Sequence, residues 1–391
     1  MAQAFRHVGK EVLLRLNLRQ TLPICKTSIM QRKKRAVRHR KKRPAPGEQP
    51  VTLKALADSL GLAPTTVSLV LNASPVAASI PQETKDRIFG AAKALNYRPN
   101  FFARSLRSRR SYTIGVLVPE VSEGYAALVL SGIEDYLLQE GYFYFVVSHR
   151  HKPDLIDEYP KLLLERSIDG LIAVDTPFHE ACRVPTVVVS GRLDAKGVTN
   201  ITLDHQRAAE LAFEHLAGLG HRQIALLKGQ SFSADTEVRW NSMCRQAERA
   251  GIPVSTRLMA QLEGDTPSPE AGYVAAHKLL AAHVPFTALV AFNDVSAIGA
   301  IRALRETGLR VPEDVSVVGF DDIQSAAYQN PALTTVRQPL WQMGKMAAET
   351  VLKRAANGIH APYPKTLVTE PELVVRESTC RVNPGVRRSG K

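Results

Sequence analysis

The chain has 391 residues, of which 45% are hydrophobic and 23% charged, and its formal net charge is +14. This length suits two or three cores, and no apolar run reaches the roughly 18 residues that a membrane-spanning helix needs. The cysteines, at positions 25, 182, 244 and 380, have the spacing of neither a zinc site nor a disulfide framework. We therefore expect a reducing, cytoplasmic setting, with no metal, no cofactor and no membrane partner.

Basic residues are concentrated at one end of the chain. Residues 1–112 carry a formal charge of +18, whereas the remainder carries −4. Residues 32–43 include nine Lys and Arg residues and precede a stretch that contains Pro and Gly, which predicts a disordered extension over residues 1–49. Its charge is typical of an arm that contacts phosphates without sequence preference. Met30 is an alternative start within this segment.

Residues 51–98 predict three short helices around a small core. Thr52 can cap the first helix, and Gly61 can end it in the left-handed conformation. Its inward positions recur with a helical period and are Leu53, Leu56, Ala57 and Leu60. The third helix is expected to turn Ile88, Ala92 and Leu95 inward. This pattern predicts a helix-turn-helix domain.

The second helix is the candidate recognition helix. Pro64 suits the first helical position, where a missing N–H costs little. Val67, Val70 and Leu71 are expected to face the first helix. The positions left outward, which would meet a DNA groove, are Pro64, Thr65, Thr66, Ser68 and Leu69.

Residues 99–111 predict a short helix that is too small to be stable alone in water. It would fold only against DNA and a partner copy, with Leu106 as an apolar wedge in the minor groove. The alternative interpretation is a plain linker, which local physics favours.

Three motifs in this order resemble the LacI/GalR family of bacterial transcription regulators. They are Thr66-Val67-Ser68 with Asn72, Leu95-x-Tyr97-x-Pro99-Asn100, and Ala103-Arg104-Ser105-Leu106, and the similarity extends over residues 51–380. The resemblance implies a set of DNA-contacting residues: Thr52, Pro64, Thr65, Thr66, Ser68, Leu69, Asn72, Tyr97, Asn100, Ala103, Arg104 and Leu106. Leu69 stands where relatives often have a polar base-reading residue, so the operator sequence cannot be transferred.

Residues 112–380 alternate strand-like runs such as TIGVLV and DGLIAVD with helix-length segments. This alternation predicts parallel α/β sheets, and residues 381–391 are expected to form a disordered tail. The resemblance implies two lobes like those of periplasmic binding proteins, with a small-molecule ligand between them. The predicted fold class is thus an all-α helix-turn-helix domain followed by a two-lobed α/β domain.

Ligand-binding residues are expected just past the carboxyl ends of strands. That rule selects Tyr125, Arg192, Asn293 and Asp321, and the resemblance adds Arg239 and Gln338. Guanidinium, amide and carboxylate groups beside a ring suit a sugar. Ala126 and Gly191 depart from the usual residues of sugar-binding relatives, so a nucleobase or a sugar phosphate stays an alternative.

The predicted function is a ligand-responsive repressor, not an enzyme, which binds a near-palindromic DNA operator as a homodimer. A solute-binding protein of a sugar transporter is the main alternative, but it leaves residues 51–110 unexplained. A sugar-modifying enzyme lacks any catalytic motif in the sequence, and an architectural nucleoid protein would use only the basic arm.

Overall fold

The computed structural model describes residues 51–72, 74–97, 110–121, 124–177, 182–264, 267–358 and 361–382. The chain divides between Arg98 and Pro99 into two compact units. Several predictions concern residues outside the described ranges. They are the disordered extension over residues 1–49, most of the C-terminal tail, and the DNA-contacting residues Asn100, Ala103, Arg104 and Leu106 of the predicted short helix.

The first unit contains three α-helices and a short 3-10 helix: α1 Leu53–Leu60, α2 Pro64–Leu71, the 3-10 helix Pro75–Ser79 and α3 Gln82–Ala94. The Thr52 hydroxyl accepts a hydrogen bond from the Ala55 amide at 3.1 Å, and Gly61 has a φ of 66°. Both predicted boundaries of α1 are confirmed. Pro64 begins α2, whose N-cap residue Ala63 makes no side-chain capping bond.

The core of this unit comes from the three α-helices and the 3-10 helix together. Its fully buried members are apolar and comprise Leu56, Ala57, Val67, Val70, Ala77 and Ile88. The prediction that Leu95 faces inward is wrong, because Leu95 is the C-cap residue of α3 and is 41% exposed. Because Leu95 follows the last helical residue, the helical period no longer keeps its side chain on the buried face.

The second unit contains twelve described strands. They are β1 Thr113–Val118, β2 Phe143–Ser148, β3 Gly170–Val174, β4 Thr186–Val189, β5 Val198–Leu203, β6 Ile224–Lys228, β7 Met259–Gln261, β8 Ala288–Val290, β9 Ser316–Asp321, β10 Thr334–Arg337, β11 Thr366–Thr369 and β12 Glu372–Val374.

Eight described α-helices accompany these strands. They are α4 Tyr125–Gln139, α5 Pro153–Glu165, α6 His205–Gly218, α7 Thr236–Arg249, α8 Pro269–Ala281, α9 Asp294–Glu306, α10 Gln324–Ala327 and α11 Leu340–Asn357, with a 3-10 helix at Thr256–Leu258. Of the described helices, none is long and apolar enough to cross a membrane.

The strands form two six-stranded sheets, each the centre of one lobe. The first lobe has the order β11-β5-β4-β3-β1-β2, and all of its pairs are parallel. The second lobe has the order β12-β10-β9-β8-β6-β7, in which only the short edge pair β10–β12 is antiparallel. The predicted two-lobed α/β fold is confirmed.

The chain passes between the lobes at three described connections. They follow β5, β10 and β11, so that α6 packs with the second lobe, α11 with the first, and β12 with the second. Each lobe is therefore built from separate stretches of sequence, and the lobes are tied at three points.

Strand β5 was not predicted from the sequence, because its segment, VTNITL, is half polar and does not form an apolar run. The Asn200 side chain is buried, and its Nδ2 donates to the carbonyl oxygens of Leu193 and Lys365 at 3.1 and 3.2 Å. Tertiary hydrogen bonds therefore satisfy the polar group, which local sequence cannot reveal.

The first lobe depends on close contact between α4 and α11. Two helical glycines, Gly132 and Gly344, let the backbones approach, since a Cβ on either would lie within 2.0 Å of a carbonyl oxygen of the other helix. In the chain, α4 follows β1 of the first lobe and α11 follows β10 of the second lobe.

Replacing Gly132 by alanine tests this contact. The new Cβ would lie 1.9 Å from the Trp341 carbonyl oxygen, so the helices must move apart. We expect Gly132→Ala to reduce the free energy of unfolding by about 3 kcal/mol, measured by urea or thermal denaturation. Gly218→Ala in α6 meets no atom within 4 Å and is the matched control, expected to be neutral or stabilising by up to about 1 kcal/mol. Equal losses in both variants would contradict the packing argument.

Candidate functional site

Fewer side chains are exposed at the start of α2 than the sequence predicted. Thr65 is exposed and Thr66 half-buried, whereas Ser68 is only 8% exposed. The prediction that Ser68 faces outward is therefore wrong. Ser68 lies about 60° from Leu71 around the helix, which places it at the border of the buried stripe. The Asn72 Nδ2 donates to the Ser68 carbonyl oxygen at 2.7 Å and to its Oγ at 3.2 Å.

Two other described residues of the predicted DNA-contacting set pack against the core of this unit. Leu69 is half-buried against the helical core, and Tyr97 packs on the same core. Partial burial raises the pKa of Tyr97 above its ordinary value. Thr52, Pro64 and Asn72 are exposed. Thr65, Thr66 and Pro64 thus remain the accessible start of the helix.

The candidate ligand cleft lies between the lobes, at the carboxyl ends of strands from both sheets. It encloses about 60 Å³, well below the roughly 300–1,000 Å³ of typical small-molecule sites. The lining residues come from both lobes: Pro119, Glu120, Tyr125, Ala126, His151, Asp175, Gln230, Phe232, Ser233, Asp235, Arg239, Pro267, Phe292, Asn293, Val295 and Asp321. The two lobes therefore meet closely across this cavity.

Three residues at strand ends beside the cleft have positive φ angles although they are not glycine. The values are 41° at Asp175, 54° at Ser190 and 110° at Asp321. Such conformations cost on the order of 1–3 kcal/mol each and concentrate at functional sites. Their grouping at one cleft distinguishes this region from the rest of the sheets.

Arg239 is the central cation of the cleft and is only 3% exposed. Its Nη1 donates to the Phe292 carbonyl oxygen at 2.6 Å, and its guanidinium lies 3.8 Å from the centre of the Phe320 ring. Asp235 and Asp321 lie 3.9 and 4.0 Å from its terminal nitrogens. Its Nε has no hydrogen-bond partner among the described residues.

Asp321 connects this arginine with Gln338. The Gln338 Nε2 donates to Asp321 Oδ1 at 2.5 Å, and Gln338 itself does not line the cavity. Burial raises the pKa of Asp321 to about 6, although the charge of Arg239 opposes this shift. Gln338 is therefore linked to the cavity only through its hydrogen bond to Asp321.

Two hydrogen-bonded contacts join the lobes at the cleft. Asp175, which follows β3 in the first lobe, accepts from the Ala234 amide at 2.8 Å and from the Ser233 hydroxyl at 3.2 Å. Asp235 in the second lobe accepts from the Gly191 amide of the first lobe at 3.3 Å. Together these bonds join the two lobes across the cleft.

The two carboxyl groups differ strongly in their affinity for a proton. Burial, together with the nearby charge of Asp235, raises the pKa of Asp175 to about 7. Burial would also raise the pKa of Asp235, but the hydrogen bond and charge of His205, with the charge of Arg239, hold it at about 2. Asp235 is therefore ionised near neutral pH, whereas Asp175 titrates there.

Of the three remaining predicted ligand-binding residues, two line the cavity and one does not. Tyr125 and Asn293 line the cavity, and the Tyr125 hydroxyl is hydrogen-bonded to Ser190. The Asn293 Oδ1 already accepts from the Ser296 amide at 2.9 Å and caps α9. Arg192 is exposed and is absent from the lining, so the structure does not bring Arg192 to this cavity.

Several lining residues were not predicted from the sequence, above all Asp175, Asp235, His151 and Phe232. Asp175 follows β3 directly, so the strand-end rule could have found it. His151 and Phe232 stack across the cleft with ring centres 3.7 Å apart, a contact that requires the tertiary fold.

A second histidine, His149, lies two residues before His151 in the chain. His149 is fully buried, with its Nε2 3.1 Å from the Thr176 hydroxyl. Burial, with the nearby His151, lowers its pKa to about 4. Within the described ranges, no cluster of three or more His, Cys, Asp or Glu residues is arranged to hold a metal ion.

Comparison with known proteins agrees with this architecture. Residues 52–100 match the family of bacterial regulatory proteins of the lacI type, and residues 213–379 match the periplasmic binding protein-like domain. The chain is 32% identical over 339 residues to the HTH-type transcriptional repressor PurR of Haemophilus influenzae, with 84% of this chain and 98% of that protein covered. The PurR repressor of Aliivibrio fischeri is 33% identical with the same coverage.

Solved structures show the same likeness. The lac repressor dimer bound to operator and the anti-inducer ONPF superposes with a TM-score of 0.73 and 27% identity, covering 85% of this chain and all of that one. A complex of the transcriptional regulator CelR with cellobiose gives a TM-score of 0.62 at 26% identity, covering 84% and 99%. The chain therefore belongs to the lacI family of bacterial regulatory proteins, which are DNA-binding transcription regulators.

Proposed function

We propose that this protein is a transcriptional repressor whose affinity for its operator changes when a small molecule binds in the cleft between the lobes. The observation that carries this proposal is the pairing of a helix-turn-helix unit with a cleft of buried polar groups at the strand ends of both lobes. A solute-binding protein would have no use for residues 52–100, which match the regulatory family. The family consists of regulators and not of enzymes.

The ligand we propose is a sugar or a related small polar metabolite. Arg239 and Asp321 offer donor and acceptor groups, and Tyr125 and Phe292 offer ring faces on which an apolar side of a ring can lie. The solved relative CelR was determined with cellobiose, and the curated relatives are named PurR. Nucleobases and sugar phosphates are therefore the alternatives to test.

Ligand binding is coupled to lobe movement because the closed cavity is small. A space of about 60 Å³ cannot hold a monosaccharide, so the interlobe bonds of Asp175 and Asp235 must rearrange when the ligand enters. The resulting change reaches residues 99–111, which join the first lobe to the DNA-binding unit. By linkage, the operator and the ligand then change each other's affinity by the same factor.

We also propose that the protein acts as a homodimer on a near-palindromic operator in the cytoplasm. Strand β2 is an edge strand whose Phe143 is 59% exposed, and Leu138, at the end of the preceding helix α4, is 61% exposed. An uncovered edge of this kind favours pairing with another chain. The lac repressor structure that resembles this chain is a dimer on its operator.

Substitutions at the start of α2 test the DNA-binding role. We expect Thr65→Ala and Thr66→Ala to weaken binding to an operator selected from random duplexes by about 5- to 150-fold, since a lost base contact costs about 1–3 kcal/mol. Fluorescence anisotropy with the full chain gives the affinities. Gln82→Ala, which changes an exposed side chain at the start of α3, is the control. Unchanged affinity in both threonine variants would refute their contact with bases.

The basic arm is tested by the salt dependence of operator binding. Deleting residues 1–49 should make the logarithm of the binding constant fall less steeply with the logarithm of salt concentration. Each lost phosphate contact should reduce the slope by about 0.9. An identical slope for the full and shortened chains would leave the arm without a phosphate-binding role, and loss of all operator affinity would instead favour the architectural alternative.

The proposed dimer surface is tested by a charge at its exposed edge. Phe143→Asp should convert a dimer into a monomer in sedimentation experiments at micromolar concentration, because a buried unpaired carboxylate opposes association. Val375→Asp, at a side chain 57% exposed in the second unit, is the control. A dimer that persists in Phe143→Asp would move the interface to another surface.

A further inference from the structure

The ligand cleft carries more negative than positive side chains. Glu120, Asp175, Asp235 and Asp321 line the cavity, and among the described lining residues Arg239 is the only lysine or arginine. His151, the one histidine of the lining, lies 3.9 Å from Glu120. The ligand that enters must meet this excess of carboxyl groups.

Three of the four carboxyl groups have a basic partner within the structure. Asp235 lies 3.5 Å from the His205 Nε2 and 3.9 Å from Arg239, and Asp321 lies 4.0 Å from Arg239. Glu120 faces His151. These carboxyl groups are therefore at least partly balanced without a ligand.

Asp175 is the exception among the described residues of the cleft. No Lys, Arg or His nitrogen lies within 4.0 Å of it, and its partners are the neutral Ala234 amide and Ser233 hydroxyl. Both of these bonds end on Oδ1, so Oδ2 is free to accept a further donor. Burial and the charge of Asp235 raise its pKa to about 7, and the more distant charge of Arg239 only partly opposes this shift.

Aromatic rings surround the same space. Tyr125, Phe232 and Phe292 line the cavity, and Phe292 already lies under a cation, with its ring centre 4.4 Å from the Arg239 guanidinium. Carboxylates combined with ring faces are the groups that bind ammonium ions. A phosphate or carboxylate ligand would instead meet unfavourable charge at Asp175, Asp235 and Asp321.

We propose that the effector carries a positively charged amine, as in an amino sugar, and that this amine binds the free oxygen of Asp175. This inference rests on the proposed ligand-responsive function and specifies the chemistry of its ligand. Because Asp175 also joins the two lobes, the amine binds at a contact that holds the cleft closed. Asp175 is thus the residue that selects amines over neutral and anionic compounds.

The test sorts candidate ligands by charge before any is identified. A bacterial metabolite extract is separated at neutral pH into cation-exchange-retained, anion-exchange-retained and unretained fractions, and each is added to the full-length protein in a thermal-shift assay. We expect the cation-retained fraction to raise the melting temperature. Stabilisation found only with the anion-retained or unretained fraction would overturn the inference while leaving the ligand-responsive function standing. No stabilisation by any fraction would overturn both.

Asp175→Asn is the decisive variant, because asparagine keeps an oxygen that can accept from Ala234 and Ser233 but removes the charge. We expect at least a tenfold higher concentration of the cation-retained fraction to be needed for half-maximal stabilisation. Asp194→Asn changes an exposed carboxylate that pairs with Lys365 and is the matched control, expected to respond like the unaltered protein. An unaltered melting temperature without extract shows that each variant is folded. An unchanged response in folded Asp175→Asn would overturn the role of Asp175.

Discussion

The buried guanidinium of Arg239 is the interaction on which the ligand cleft depends. Its charge lies about 4 Å from Asp235 and Asp321, in a place that water barely reaches. A buried charge without partners is costly, and so are buried carboxylates without a cation. The arginine and these two aspartates therefore require each other, and the ring of Phe320 and the carbonyl oxygen of Phe292 complete the site.

Few contacts join the two lobes across the cleft beside this cluster. Asp175 and Gly191 reach across from the first lobe to Ala234 and Asp235 in the second, and His151 stacks on Phe232. The three chain connections tie the lobes together beside these contacts. A ligand that replaces some of these contacts can thus change the lobe geometry with the binding energy of one small molecule.

The first lobe is suited to pass on such a change as a unit. Helix α4 begins at Tyr125 in the cleft, and α11 begins two residues after Gln338, which binds Asp321. Gly132 and Gly344 bring the two helices into backbone contact. At the far end of α11, the Arg110 guanidinium donates to the Ala355 and Ala356 carbonyl oxygens at 3.4 Å, next to the segment that leads to the DNA-binding unit. The helices therefore connect the cleft with Arg110 through packed elements.

The sequence by itself determined the features that depend on local chemistry. Thr52 and Gly61 bound α1, Pro64 starts α2, and runs of apolar residues identified most strands and, through the strand-end rule, Tyr125, Asn293 and Asp321. The tertiary structure decided what depends on distant neighbours: the burial of Ser68, the exposure of Arg192, the strand containing Asn200, and the unbalanced charge of Asp175. The physical reason is that capping and helical periodicity act within a few residues. Burial and pKa, in contrast, depend on groups that only the folded chain brings together.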